Sequence, residues 1–227
     1  EHTITFNQAG GHLQGIQMMQ KNDQSFIYLS SSSSDVAYLL KISLFPQART
    51  LAADTLMVEP FRHAGGFQIY YHFLAIGIED NYKRDVAEVH VYDLSKADDW
   101  KNPVYRISRK GAYERVTAGA TAMCRYNNEM LLAVANWDAR NIDFYSIPFA
   151  DFEQGKGNFQ KVHSFNAQAA DRSEWINEEW LSYQNINLFK DEEGRLFLLG
   201  FTRDNAGNNV AELFLVRPDP MNTSSIR

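Results

Sequence analysis

Three carboxylates stand where acid–base work could be done: Asp80, Asp138 and Glu178. Asp80 and Asp138 fall in polar loops that follow strongly apolar runs, within Glu79-Asp80-Asn81-Tyr82 and Asn136-Trp137-Asp138. Asp35 and Asp204 occupy comparable loops elsewhere in the chain. Two carboxylates flanking a glycosidic bond, with a ring such as Trp137 to stack on a sugar face, are what glycoside hydrolysis requires. Tight turns favour the same residue types, because Asp and Asn side chains accept hydrogen bonds from backbone N–H groups just ahead of them. Turn chemistry accounts for most of the recurrence without any catalysis, with Asp80, Trp137 and Asp138 the exceptions expected.

A second group centres on His12 and His63, at matching positions in similar segments. Neutral imidazole can ligate a metal or act as a base. The same register holds Thr117 and Ser182 in two further segments, so a small hydrogen-bonding residue fits as well as a ligand. Two histidines without a third ligand are a weak metal signal. Around them lie Gln14, Gln17, Gln68, Gln184, Asn185 and Asn187. Such amides could bind sugars or coordinate Ca²⁺ through carbonyl oxygens, or simply hold ordered water. A third group, Trp175, Glu178, Trp180 and Tyr183, sits in the longest irregular stretch, Asn166 to Leu181. Long loops carrying their own aromatics are usually functional, although a lid packed over one end of the fold has the same composition.

Other patterns drop out. Ser30 to Ser34 lacks a nucleophile elbow, Cys124 lies in an apolar strand context, and Gly65-Gly66 lacks the strand-to-helix setting of a phosphate loop. Composition excludes more. With 44% hydrophobic and 22% charged residues among 227, the chain is a folding sequence and not a disordered one. A net charge of −6 disfavours nucleic acid, and one cysteine excludes intrachain disulfides and multi-cysteine zinc sites. No apolar run reaches the ~18 residues of a membrane span, so no membrane insertion is expected.

The elements that must position these residues come from an internal repeat. His12-Leu-Gln-Gly-Ile-Gln-Met18, His63-Ala-Gly-Gly-Phe-Gln-Ile69, Thr117-Ala-Gly-Ala-Thr-Ala-Met123 and Ser182-Tyr-Gln-Asn-Ile-Asn-Leu188 stack on one another. Each alternates with the period of a strand. Apolar runs follow at Phe26–Ser30, His72–Gly77, Met130–Ala135 and Leu196–Phe201. Alternating runs come next at Val36–Leu44, Val86–Leu94, Ile142–Ile147 and Val210–Val216. Val-Ala-Glu opens two of these, at 86 and 210. Weaker fourth strands follow three units, at Thr55–Val58, Val104–Ile107 and Gln160–Phe165. Thr3–Phe6 is placed to supply the fourth strand of the last unit. Short turns are expected near Asp93–Trp100 and Pro148–Glu153, with one helical turn in Asp171–Trp180.

Four-stranded antiparallel units repeated at about 40–50 residues resemble the β-propeller architecture, without the signature of any family within it. The resemblance implies an all-β fold over one domain, residues 1–220, with a tail at 221–227. It implies four blades, locked by the N-terminal strand, or five or more if the chain is part of something longer. It also places first strands around a central polar channel and gathers the candidate residues on one loop face. Two function classes follow. The first is a binding module presenting that face to a protein, peptide or glycan. The second is a hydrolase, either carbohydrate-active through a carboxylate pair or a metal-dependent lactonase-like enzyme. No resident cofactor is expected beyond the Ca²⁺ that a channel could hold, and the oligomeric state is open. The start at Glu1 and the near-absence of cysteine favour a secreted or periplasmic protein.

Overall fold

The period-2 alternation becomes strands in every unit. The structure is a computed structural model that describes residues 11–96, 100–177, 179–217 and 226. The first sheet is β1 (His12–Lys21), β2 (Gln24–Ser32), β3 (Val36–Ser43) and β4 (Arg49–Val58), paired in that order. The second is β5 (His63–Tyr70), β6 (Phe73–Glu79), β7 (Val86–Asp93) and β8 (Tyr105–Lys110). The third is β9 (Ala120–Tyr126), β10 (Glu129–Ala135), β11 (Asn141–Pro148) and β12 (Gln160–Asn166). The fourth holds three described strands, β13 (Asn185–Lys190), β14 (Leu196–Arg203) and β15 (Asn209–Val216). All pairings within a sheet are antiparallel.

Successive sheets face one another and bury an apolar layer at each junction. Tyr28, Leu39, Phe67, Leu74 and Ile76 fill the first junction. Val89, Tyr105, Met123, Leu132 and Phe152 fill the second, and Leu131, Phe144, Phe165, Ile186 and Phe214 the third. Side chains that alternate along each strand supply both neighbours. Among the described residues, no comparable layer joins the fourth sheet to the first.

The inner strands run side by side, β1 against β5, β5 against β9 and β9 against β13. Their approach is close enough to exclude side chains. A Cβ on Gly66 would lie 2.4 Å from the Gln184 carbonyl oxygen, and one on Gly77 would lie 2.1 Å from that of Ala118. Gly66 N–H donates to the Gly119 carbonyl at 2.8 Å, and a parallel bridge at Gly66 and Ala120 fuses the second and third sheets. Gln68 completes the axis. Its Oε1 accepts from Met123 N–H (3.1 Å) and Leu188 N–H (2.9 Å), and its Nε2 donates to the Leu188 carbonyl (2.8 Å). Three inner strands are thereby stitched by one buried amide, whose removal would leave buried backbone groups unpaired.

On the outer side, Asp143 of β11 gathers cations from two sheets. Arg115 meets it with both Nη atoms (2.6 and 2.9 Å), and Arg109 Nη1 and Lys161 Nζ lie at 3.0 Å. Burial would raise its pKa, but hydrogen bonds from Arg115 and Ser164 and the neighbouring charges hold it far below the usual carboxylate range.

The element boundaries differ from expectation in instructive places. A short helix, α1 (Phe149–Glu153), forms within Pro148–Glu153. The stretch Asp171–Trp180 contains turns and bends but no helical turn among its described residues. Its aromatic side chains pack on the third and fourth sheets instead, and that packing sets its course. The expected closing strand Thr3–Phe6 lies outside the described residues. Among the described residues it is Ile226 that bridges to Val216 of β15, antiparallel.

Acid should act on this fold in two stages. Burial, with the Arg106 charge, holds His90 down to about 4 from its ordinary 6.5. Between those values the unfolded chain binds a proton that the folded chain refuses, so stability falls with pH by up to about 3 kcal/mol. Below about 4, protonation of Asp143 removes its depressed-pKa contribution as well. Melting temperature measured from pH 7 to 3 should decline through both windows, and His90→Gln should flatten the first.

Candidate functional site

The fold carries the two histidines to one place. His12 opens β1 and His63 opens β5, and their ring centroids are 6.1 Å apart. The sequence register anticipated this meeting, but not the group behind it. Glu79, the last residue of β6, is fully buried. Its Oε1 lies 3.2 Å from His63 Nδ1, and its Oε2 accepts from Ala118 N–H at 2.7 Å. Glu79 thus lies beside His63 and, through the Ala118 N–H, ties the second sheet to the entry of the third. Only its place at a strand end next to Asp80 hinted at it. Among the described residues, no group of three or more His, Cys, Asp or Glu could hold a metal ion. Where β5, β9 and β13 meet, Gln68 spends its amide on backbone groups.

The loop carboxylates are engaged locally. Asp80 is buried, and its Oδ1 accepts from Tyr82 N–H (2.9 Å) and Lys83 N–H (3.1 Å), an Asx-type turn. Asp138 sits in a 3-10 turn, Trp137–Ala139, with φ +72°. It pairs with Arg140 and accepts from Ser182 Oγ. Trp137 lies beneath the Arg84 guanidinium, 4.0 Å from the ring centre, and its N–H donates to Thr117 Oγ1. Glu178 lies outside the described residues.

Trp175, Trp180 and Tyr183 form an aromatic lid over the third junction. Trp180 contacts Phe165, Trp175, Tyr183 and Phe214. Trp180 Nε1 donates to the Ala139 carbonyl at 3.0 Å. Tyr183 is buried against Gly200 and donates to Glu212; burial and that carboxylate push its pKa up. Cys124 is buried too, and burial pushes its thiol up to about 11, which leaves it inert near neutrality.

Open space lies where β1 and β13 diverge. A cleft of 1030 Å³ runs between the first and fourth sheets. Its walls carry seven amides: Gln14, Gln17, Gln68, Gln184, Asn185, Asn187 and Asn209. Leu13 and Ile16 line it on one side, and Phe189 and Phe201 on the other; all four are exposed. Gln17 Nε2 reaches across to Asn187 Oδ1 at 3.1 Å, Gln184 Nε2 donates to Ser182 Oγ at 3.1 Å, and Asn185 Oδ1 has no donor. Arg203 is the one charged residue among the described lining, which contains no carboxylate. Of the sequence-predicted residues, Gln14, Gln184 and Asn185 are brought together here. His12, His63, Trp137, Trp175, Trp180 and Tyr183 are not part of this lining. The period-2 pattern showed that Phe189 and Phe201 alternate, but not that their face would lack a neighbouring sheet.

No protein-family model matches the sequence, and no curated protein is similar to it. Solved structures are similar in fold. An alpha-L-arabinofuranosidase from Podospora anserina, in complex with cellotriose, superposes with TM-score 0.55 at 10% identity, over 92% of this chain and 65% of that one. The catalytic domain of a Coprinopsis cinerea GH62 alpha-L-arabinofuranosidase gives TM-score 0.53 at 12% identity, over 95% and 67%. A xylan beta-1,4-xylosidase from Bacillus halodurans gives 0.54 at 11% identity, over 93% and 42%. The chain therefore spans between about two fifths and two thirds of these proteins' lengths. Likeness at this identity shows the fold alone, an all-β fold of the β-propeller type.

Removing the buried carboxylate should loosen the ring without touching the cleft. Glu79→Ala leaves the buried Ala118 N–H without its acceptor and a void beside His63, at a cost of about 1–3 kcal/mol. Urea denaturation should show a lower midpoint with an unchanged slope.

Proposed function

We propose that this protein is a non-catalytic glycan-binding module that holds a neutral oligosaccharide in the cleft between its first and fourth sheets. The observation that carries the reading is the lining itself: six amides besides the engaged Gln68, two exposed phenylalanines, and no carboxylate among the described residues. Amide groups offer a donor and an acceptor each, matched to sugar hydroxyls, and aromatic faces stack on the apolar faces of pyranose rings. Support at the level of architecture comes from similar structures whose names describe enzymes acting on glycans, one of them in complex with cellotriose. The similar structures are themselves glycoside hydrolases and support a carbohydrate-active reading at the level of the fold; what favours binding over hydrolysis is local, because Asp80 caps its own turn and Asp138 is engaged by Arg140 and Ser182.

Titration calorimetry against a panel of short neutral oligosaccharides is expected to show saturable binding. Gln184→Ala and Phe201→Ala should each weaken it by about tenfold or more, the equivalent of ~1.4 kcal/mol. Binding that neither variant alters, or silence across the panel, would discard the reading. Release of reducing ends by the wild type, lost in Asp80→Asn or Asp138→Asn, would restore the hydrolase in its place.

A further inference from the structure

The described lining of the cleft carries a single charge, and the fold leaves it unmatched. Arg203 ends β14 and is exposed. Arginines of other loops are met by carboxylates: Arg62 by Glu59, Arg84 by Glu114, Arg115 by Asp143 and Arg140 by Asp138. Arg203 faces no carboxylate among the described residues, in a chain whose net charge is −6. The acid next to it in sequence is turned away. Asp204 Oδ1 accepts from Ala206 N–H (2.9 Å) and Asn208 N–H (2.8 Å), and its Oδ2 accepts from Asn208 Nδ2 (2.8 Å). Both oxygens therefore serve their own hairpin loop.

The guanidinium is also oriented. Arg203 and Asn209 oppose each other on β14 and β15, and Arg203 Nε donates to Asn209 Oδ1 at 3.3 Å. That contact steadies the planar fork and uses neither Nη atom, the two that can grip both oxygens of a carboxylate at once. Phe201 precedes Arg203 by two residues and lines the same cleft. About 7 Å of strand thus separates an aromatic face from a guanidinium with two free donors. Asn185 opposes Phe201 on β13 and adds an amide beside the ring.

We propose that the cleft selects a glycan bearing a carboxylate: a uronic acid residue whose ring rests on Phe201 and whose carboxylate is held by the two Nη atoms of Arg203. The inference rests on the glycan reading of the cleft and narrows it, from a chain of neutral sugars to one with an acidic residue at the Arg203 end. A neutral ligand leaves this guanidinium to water, whereas an acidic one gains a charge-assisted, bidentate pair. A uniformly acidic polymer is a poor match, because the rest of the described lining offers only amides, hydroxyls and apolar side chains. The net negative charge of the chain opposes it as well.

Titration calorimetry with matched oligosaccharides tests this, each pair being one chain with a single uronic acid and the same chain with that carboxyl reduced to the neutral alcohol. The acidic member should bind at least about tenfold tighter at low salt. The gap should narrow as ionic strength rises, because a solvent-exposed ion pair is screened. Arg203→Gln should close the gap at an unchanged melting temperature. Arg49→Gln, the same loss of charge at the exposed start of β4, should leave the gap as it is. Equal affinity for the two members, a gap that survives Arg203→Gln, or a stronger preference for a sulfated chain than for the uronate would each overturn the proposal while the cleft reading stands. Silence from both members of every pair would remove the two together.

Discussion

The closeness of the inner strands at the axis governs the rest of the molecule. Where β5, β6 and the entries to β9 and β13 converge, backbone meets backbone, and Gly66 and Gly77 are glycines because no Cβ fits. Groups packed so tightly cannot be hydrated, so their hydrogen bonds must be made within the protein. Gln68 answers that demand by acting as a short piece of backbone, one donor and one acceptor joining strands far apart in sequence. The expected wet channel is therefore closed along three of the inner strands. A cleft of 1030 Å³ opens where β1 and β13 part, and Gln17 meets Asn187 across it among further amides of the inner strands.

Charge follows the same division between holding and binding. Asp143, Glu79 and Asp80 are all buried, and each serves backbone N–H groups or cations from another segment. Removing any one would strand its partners in a low-dielectric interior, which makes them costly to change and poorly suited to reacting with a substrate. Asp138 is engaged by Arg140 and Ser182. A fold similar to that of glycoside hydrolases thus comes with a cleft whose described lining is amide-rich, flanked by aromatics and without a carboxylate. The aromatic stretch 166–181, which composition marks as a functional loop, is used to cover the third junction.

Much of the architecture was legible in the residues. The four stacked segments, the apolar runs after them and the alternating third strands all became strands close to their expected bounds. Period-2 alternation is a local property that any strand packed on a sheet must satisfy. The meeting of His12 and His63 was legible for the same reason, since equal register in adjacent units places residues side by side. Glu79 was not, because nothing in a strand-end glutamate distinguishes one that turns inward from one that faces water. Nor was the role of Gln68, which looks like any other channel amide until β13 arrives 120 residues later to receive it.

The sequence by itself determined that this is an all-β repeat and which residues lie on first strands, because alternation and turn chemistry act over neighbours in the chain. Tertiary structure alone decided which amides are spent on backbone and which face a cleft, and which apolar faces acquire a covering sheet. Those outcomes depend on how near segments from different repeats approach one another, a distance set by packing at the axis and written in no single stretch of residues.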